Sequence, residues 1–433
     1  MKDIFVVEAA RTAVARGGKQ SWFMNARADE LSAIVMKELR KRIGIGEDEA
    51  KQDQYIEDVI WATCANAYLE QGGNFGRMAW CLSGGSKNIP GMTVDRLCAS
   101  GLSAIALAHA QMNSGWGGDV MFAGGGQHMT HIPMGAGFDP HPGTMELAKM
   151  NPMSINMGWT AEQVARRYNI TRAEQDQFAC ESHLKCAKAQ DANDGLGKTK
   201  NVIIPIKTKV PAKGARVEAV APTAAYEISS YLADKALEKG DELVEMVVFR
   251  DQGLRRDTTL DSLAKMPTVF AQDEAATVTA GNASQVNDAA AGVVLATNEG
   301  CKALGLKPKM KLLSYAVIGC EPEVMGIGPA LAIPKVLKRA GMTIKDIDIW
   351  EVNEAFASQA YYCCEKVLHL PKDRVNMWGS GISIGHPLAC TGARIACDLT
   401  AMFADPDFKD AKYAVESMCI GGGMGAAAIW ERV

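Results

Sequence analysis

The chain is 433 residues long, 48% hydrophobic and 22% charged, with a formal net charge of -4. That length exceeds one ordinary core and implies about two or three domains. The slightly acidic balance offers no global field for nucleic acid, and no stretch approaches the ~18 uninterrupted apolar residues of a membrane span.

Taken in order, the chain opens on Met1-Lys2-Asp3-Ile4-Phe5-Val6-Val7, which already reads as a strand. With no export segment before it, the twelve cysteines are expected to be reduced thiols in the cytoplasm. Their scatter gives no Cys-x-x-Cys zinc pattern, and no metal is expected. Apolar spacing at Leu31, Ile34, Val35 and Leu39 predicts a helix over Asp29–Arg40. Ile56–Trp61 is the next strand and Phe75–Leu82 the next helix. Val94–Ile105 then reads as a strand, a tight turn and a buried helix. Val120–Ala123 is a strand expected to break at Gly124-Gly125-Gly126. Such alternation predicts a mostly parallel sheet covered on both faces.

From Met129 to about Asp257 the texture changes to methionines, prolines and loops. Helices are expected over Thr160–Tyr168 and Thr171–Ala189, the second opened by a Thr171…Glu174 capping box, with a short strand at Val202–Ile206. The six methionines between Met129 and Met157 fit an adaptable apolar wall or irregular core filler equally well. After about Thr258 the α/β texture returns, with strands at Lys311–Val317, Ile347–Trp350, Tyr413–Ser417 and Ala426–Trp430. Helices are expected over Pro334–Ala340, Glu354–Leu368 and Leu388–Met402. Val120–Gly126 is similar to Ser417–Gly423. Asp58–Trp61 before Ala65-Asn66-Ala67 is similar to Ile347–Trp350 before Asn353-Glu354-Ala355. The two α/β parts therefore read as a duplication, whose junction would be a natural ligand site.

Four motifs could carry chemistry. Cys98 falls at the first turn of its helix, where unpaired N–H groups favour a thiolate; alone, such a cysteine is more often a packed core thiol. His386, in Gly385-His386-Pro387, can take a proton near neutral pH, or can be a structural turn histidine. Cys419 opens the run Cys419-Ile420-Gly421-Gly422-Gly423, where bare N–H groups could form an oxyanion hole; the bland alternative is a buried strand-end thiol. Asn353 could hold a water or simply cap a helix.

In kind and in order these motifs resemble the thiolase family. The nucleophile stretch Val94–Ile105 and the motifs Asn353–Phe356, Gly385–Pro387 and Cys419–Gly423 carry the likeness. It extends nearly end to end through Met157–Glu162, Gln175–Ala179, Thr279–Ser284 and Met325–Pro329. The resemblance implies a five-layer αβαβα fold built from two duplicated α/β halves with an inserted loop domain. The N-terminal half would be 1–128, completed by about 258–305; the inserted domain 129–257; the C-terminal half 306–433.

It also implies coenzyme A-dependent carbon–carbon bond chemistry. Cys98 would attack a 3-ketoacyl-CoA with His386 accepting its proton, Cys419 would protonate the departing acetyl-CoA enolate, and free coenzyme A would take the acyl group. One oxyanion hole would use His386 and an Asn353-held water, the other the N–H groups of Cys98 and Gly421. Arg255 and Ser284 would contact coenzyme A, a co-substrate; no tightly bound cofactor is implied. His128–Met134 and Phe138–Gly143 look like the degradative branch. Asn156 stands where the biosynthetic acetoacetyl-CoA branch usually has His, so condensation of two acetyl-CoA is the alternative. The chain departs from the family pattern at Ser380, Ala389 and Pro267. The implied partners are acyl-CoA, a second copy in a homodimer or homotetramer, and for some members a hydratase–dehydrogenase subunit.

Overall fold

The computed structural model describes residues 2–64, 69–137, 139–147, 156–212, 215, 222, 224–229 and 231–433. Ala65, Asn66 and Ala67 of the duplication, Phe138 of the branch motif, and Met150 and Met153 lie outside the described residues. Among the described residues no helix is long and apolar enough to cross a membrane.

The main strands are β1 (Ile4–Arg11), β2 (Ile56–Ala62), β3 (Gly91–Val94), β4 (Val120–His128), β5 (Asn287–Thr297), β6 (Met310–Gly319), β7 (Ile349–Val352), β8 (Tyr413–Ile420) and β9 (Met424–Arg432). They run in the order β7-β8-β9-β6-β1-β5-β4-β2-β3. The two halves meet where Val6 of β1 pairs with Met310 of β6. The order β3-β2-β4-β5-β1 in one half is repeated as β7-β8-β9-β6 in the other. The missing first position is filled by Val375, which bridges Trp350 in parallel. The duplication inferred from short motifs is thus a duplication of topology: β2 corresponds to β7 and β4 to β8.

The sheet is mixed rather than mostly parallel. Only β2 with β3, β2 with β4, and β7 with β8 run parallel; the other named pairs of this sheet are antiparallel. The reason is local. β5 enters after the inserted segment, and β8 returns into β9 through the hairpin turn Gly421–Gly423, whose last two glycines have φ of +79° and +83°. β4 also runs on through Gly124–Gly126 instead of ending there. These glycines mark close approach: a Cβ on Gly124 would lie 2.3 Å from the Ala291 carbonyl oxygen, and one on Gly125 2.5 Å from that of Ala389.

Period-2 alternation sorts side chains into separate cores. Val6, Ile60, Ala123 and Val293 face one core, while Val7, Trp61, Phe122 and Val294 face another. Helices α1 (Ala28–Arg42) and α2 (Phe75–Leu82) cover the outer face of the first half. Between the halves lie α3 (Ser100–Ser114) and, later in the chain, α7 (Thr391–Ala404). Helices α4 (Met157–Arg167) and α5 (Arg172–Asp191) belong to the inserted segment, and α6 (Gly328–Ala340) covers the outer face of the second half. The result is five layers, helix–sheet–helix–sheet–helix. The Thr171–Glu174 capping box forms as expected. The short strand of the insertion is Ile206–Pro211, paired with Tyr226–Glu227 and Leu243–Val248, rather than Val202–Ile206. Ile203 instead bridges Arg11, and its neighbours' backbone groups bond there.

α3 and α7 cross with backbone against backbone. A Cβ on Gly101 would lie 2.7 Å from the Ala393 nitrogen, and one on Gly392 2.4 Å from the Leu102 nitrogen. Backbone atoms cannot step aside as a flexible side chain can. Gly392→Ala is therefore expected to destabilise the protein by ~1–3 kcal/mol, read as a lower urea midpoint. An unchanged midpoint would contradict this packing.

Candidate active site

Cys98 sits in a single 3₁₀ turn, Leu97–Ala99, between β3 and α3. Leu97 has φ +47°, an uncommon conformation for a branched side chain. The turn is held by Ser100 Oγ, which accepts from the Arg96 N–H at 2.7 Å and donates to the Leu97 carbonyl at 2.7 Å. The backbone N–H groups of Gly421 and of Cys98 itself favour the charged form of the Cys98 thiol. Burial nevertheless dominates and pushes the thiol up to about 11, against the pull of those N–H groups. The expectation that the helix start favours a thiolate is therefore corrected: in the free protein desolvation outweighs the donors.

Cys419 lies at the end of β8, one strand from Asn353, whose N–H donates to the Ser417 carbonyl at 2.8 Å. It is wholly buried among Ala161, Val278, Met325, Ala355 and Phe356, with Met157 alongside. Burial raises its thiol well above the usual range, and Cys98 adds to that rise. Leu97 and Met157 close over Gly421.

His386 follows Gly385, whose φ is +130° and whose missing Cβ would strike Val14 and Asn287. The Asn287 Oδ1 accepts the His386 N–H at 2.7 Å. On the ring, Nδ1 lies 2.7 Å from Thr391 Oγ1 and 3.3 Å from Asn353 Nδ2. A hydroxyl can give or take a hydrogen bond, so Thr391 serves either tautomer. The other ring nitrogen, Nε2, and Asn353 Oδ1 are both buried without a protein partner among the described residues. Burial, and then the charge of Arg394, lower His386 to about 3. It is a neutral imidazole at neutral pH, not a group half-protonated there.

Glu354 holds Asn353 in place. Its Oε2 accepts from Ser182 Oγ at 2.6 Å, and its Oε1 accepts from Asn376 Nδ2 at 2.8 Å. Asn376 in turn brackets Val352, accepting its N–H and donating to its carbonyl, each at 2.9 Å. Gly381 makes room, since a Cβ there would lie 2.8 Å from Asn353 Oδ1. The structure thus brings Cys98, Cys419, Gly421, His386 and Asn353 to the tips of neighbouring strands and helix starts. The turn Leu388–Cys390 packs against the nucleophile turn Leu97–Ala99.

Residues 4–221 and 224–299 match the family model described as "Thiolase, N-terminal domain", and residues 306–432 that described as "Thiolase, C-terminal domain". The chain belongs to the thiolase family. It is 39% identical to a "3-ketoacyl-CoA thiolase" of Bacillus subtilis over 431 residues, with 100% of each chain covered. Similar proteins of the same name come from Idiomarina loihiensis, 38% identical with 100% of each chain covered, and Marinobacter nauticus, 37% identical with 100% of this chain and 99% of that one covered.

In this thiolase Arg255 and Ser284 flank one loop that leads to the site. Arg255 Nη1 donates to the Ala280 carbonyl at 3.2 Å, Ser284 N–H donates to the Ala355 carbonyl at 2.9 Å, and Ala283 bridges Phe356. Both are half-buried. Burial, and then the charge of Arg16, lower Arg255. Arg256 instead pairs with Asp191 at 2.7 Å. Sequence reasoning missed Thr391, Asn287, Asn376 and Arg16. Thr391 could have been found from its place five residues after His386; the others come from remote segments with no motif of their own. Asn156 caps α4, accepting from the Gly158 and Trp159 N–H groups at 3.0 and 3.3 Å. Ser380 is buried with its hydroxyl unpartnered, and Ala389 is fully buried.

Two outcomes follow for this thiolase. Because the Cys98 thiol is raised and His386 is neutral, alkylation of Cys98 by iodoacetamide is expected to accelerate about tenfold per pH unit between pH 7 and 9, followed by mass spectrometry of the Cys98 peptide. A plateau in that range would mean a thiolate–imidazolium pair instead. Thr391→Val, which removes the 2.7 Å bond to the His386 ring, is expected to lower kcat about tenfold, for ~1.4 kcal/mol, with the KM for coenzyme A unchanged.

Proposed function

We propose that this protein is an acetyl-CoA C-acyltransferase that cleaves 3-ketoacyl-CoA with coenzyme A, giving acetyl-CoA and an acyl-CoA shortened by two carbons. The observation that supports it most is the packing of the Cys98 turn against the turn that follows His386, with Asn353 Nδ2 3.3 Å from the His386 ring and a second buried thiol, Cys419, at a neighbouring strand tip. The names of the full-length relatives point the same way.

Cys98 Sγ forms a bond to the 3-keto carbon while its proton passes to the neutral His386 ring. The carbonyl oxygen becomes an oxyanion, for which a preorganised donor is worth ~3–4 kcal/mol. The bond between C2 and C3 breaks, leaving the acyl group on Cys98 and an acetyl-CoA enolate. Cys419 supplies the proton that turns the enolate into acetyl-CoA. The thiol of coenzyme A then gives its proton to the Cys419 thiolate and attacks the acyl-Cys98 carbonyl, and Cys98 leaves with the electron pair and takes back its proton from His386. The unpartnered His386 Nε2 and Asn353 Oδ1 suit the enolate oxygen and a water, the pair of roles that need a donor and an acceptor in one place. Leu97 and Met157 stand over Gly421, so an acyl chain reaches Cys419 by displacing them.

Coenzyme A acts here as co-substrate, with Arg255 and Arg16 toward its phosphates and Ser284 toward the pantetheine. The pathway is fatty-acid degradation in the cytoplasm. A second copy completes the assembly as a homodimer or homotetramer: β3 is an edge strand, every residue of which is half-buried, with one side open to pairing. A hydratase–dehydrogenase subunit is a further partner of this reading.

The test is intact-peptide mass spectrometry after mixing with 3-ketoacyl-CoA in the absence of coenzyme A. An acyl group is expected on the Cys98 peptide and not in Cys98→Ala, which should also abolish thiolysis. Thiolysis across a chain-length series is expected to extend beyond four carbons; activity on the four-carbon substrate alone would favour the condensing enzyme, and binding without turnover would reject both.

A further inference from the structure

Away from the thiols, Glu70, His128 and His131 each present one ligand atom, and these atoms all lie within 4.8 Å of one another. His131 Nδ1 is 3.1 Å from Glu70 Oε1. His128 Nδ1 is 4.0 Å from the same oxygen and 3.5 Å from Asp288 Oδ1. The far ring nitrogens are already committed. His128 Nε2 lies 2.9 Å from the Phe23 carbonyl oxygen and His131 Nε2 2.7 Å from that of Met24. A carbonyl only accepts, so each Nε2 carries a proton and each Nδ1 is the inward atom, that of His131 on Glu70 and that of His128 beside Asp288, where it accepts the His131 N–H at 3.3 Å, a bond that an ion would replace. The rings stack with centroids 3.9 Å apart. Imidazoles that bind metals are held in this way, the back N–H on a carbonyl and the front nitrogen toward the ion.

We propose that Glu70, His128 and His131 bind one divalent transition-metal ion of the zinc class, outside the acyl-transfer site and independent of that reading. Metal–ligand bonds of about 2.0–2.1 Å place tetrahedral ligand atoms about 3.3 Å apart; the separations of 3.1 and 4.0 Å bracket that value. Two imidazoles and a carboxylate suit zinc or cobalt better than calcium or magnesium. Asp288 adds a second negative charge beside His128, while Arg27, 3.7 Å from Glu70, partly opposes the ion. On binding, the proton shared by His131 Nδ1 and Glu70 leaves to solvent and the Nδ1 lone pair bonds the metal.

The ion would act as a clamp behind the nucleophile turn. Gln71, next to Glu70, accepts the His128 N–H at 2.8 Å and donates to the Cys64 carbonyl at 2.5 Å. The Cys64 sulfur lies 3.9 Å from Ser100 Oγ, which ties the Cys98 turn.

The experiment titrates chelator-treated full-length protein with cobalt(II) and follows the visible spectrum. One equivalent with weak nitrogen–oxygen d–d bands and a higher Tm is expected, with affinity reduced about 10–100-fold in His131→Gln and Glu70→Gln. No binding at millimolar cobalt(II), equal affinity in folded variants, or only the intense near-ultraviolet absorption of a cobalt–thiolate would overturn the proposal. If the variants do not fold, zinc-soaked wild-type crystals decide it: an anomalous peak within bonding distance of the three ligand atoms supports the site, and its absence there rejects it.

Discussion

The geometry of the reacting groups depends on one contact, the crossing of two helices with no side chain between them. At Gly101 and Gly392 the backbones of α3 and α7 come close enough that a methyl group on either would overlap the other chain. Buried between two sheets, neither helix can tilt without opening a core on both sides. Each is entered through a 3₁₀ turn, Leu97–Ala99 or Leu388–Cys390, and the crossing brings those two turns together. The duplication makes this possible and the function breaks it. Cys98 and Ala389 hold equivalent places before the paired glycines, so one half keeps the proposed nucleophile there, and in the other the imidazole proposed as its base, His386, stands three residues earlier.

Burial then sets protonation. The same exclusion of water that fixes the turns raises Cys98 to about 11 and lowers His386 to about 3. The resting pair is neutral, and in the proposed reaction a charged pair forms only as the substrate carbonyl takes up negative charge. The donors that meet that charge are fixed before the reaction and need no reorganisation. Arg394 contributes from behind: its charge helps keep His386 neutral, and it is itself held by Asp398 at 3.2 Å.

Much of this was legible in the residues. The strand and helix patterns placed Phe75–Leu82 with its observed bounds and most other elements within a few residues. The four motifs located the strand tips and helix starts that converge. What periodicity could not show was direction. A strand reads alike in either sense, so the antiparallel β9 passed for a parallel neighbour, and the alanine- and glycine-rich β5 was not read as a strand at all. The glycines of β4 read as an end because close backbone approach and a chain break call for the same residue. Glu354 sat inside a recognised motif, yet its part in holding Asn353 depends on Ser182 and Asn376, which only folding brings near. The thiolate expectation failed for the same reason: a helix start is visible in sequence, but the depth at which it lies is not.

The inserted segment must also be held, because Arg255 enters from its far end. Arg11 of β1 supplies the hold. Its guanidinium donates to both Asp251 oxygens, at 2.7 and 3.0 Å, and to Asp398 of α7 at 2.9 Å. Asp251 also accepts the Val14 N–H at 2.8 Å. All three charged groups are buried. Such a network adds little stability over well-packed apolar residues, but loss of a single member strands a charge at a cost of ~3–5 kcal/mol. Its value lies in fixing positions. Asp251 stands four residues before Arg255, so the end of the insertion is tied to the first strand and to the helix that follows His386. The arginines proposed for the phosphates and the imidazole proposed for the thiol proton are thereby referred to one rigid frame, although they lie far apart in the chain.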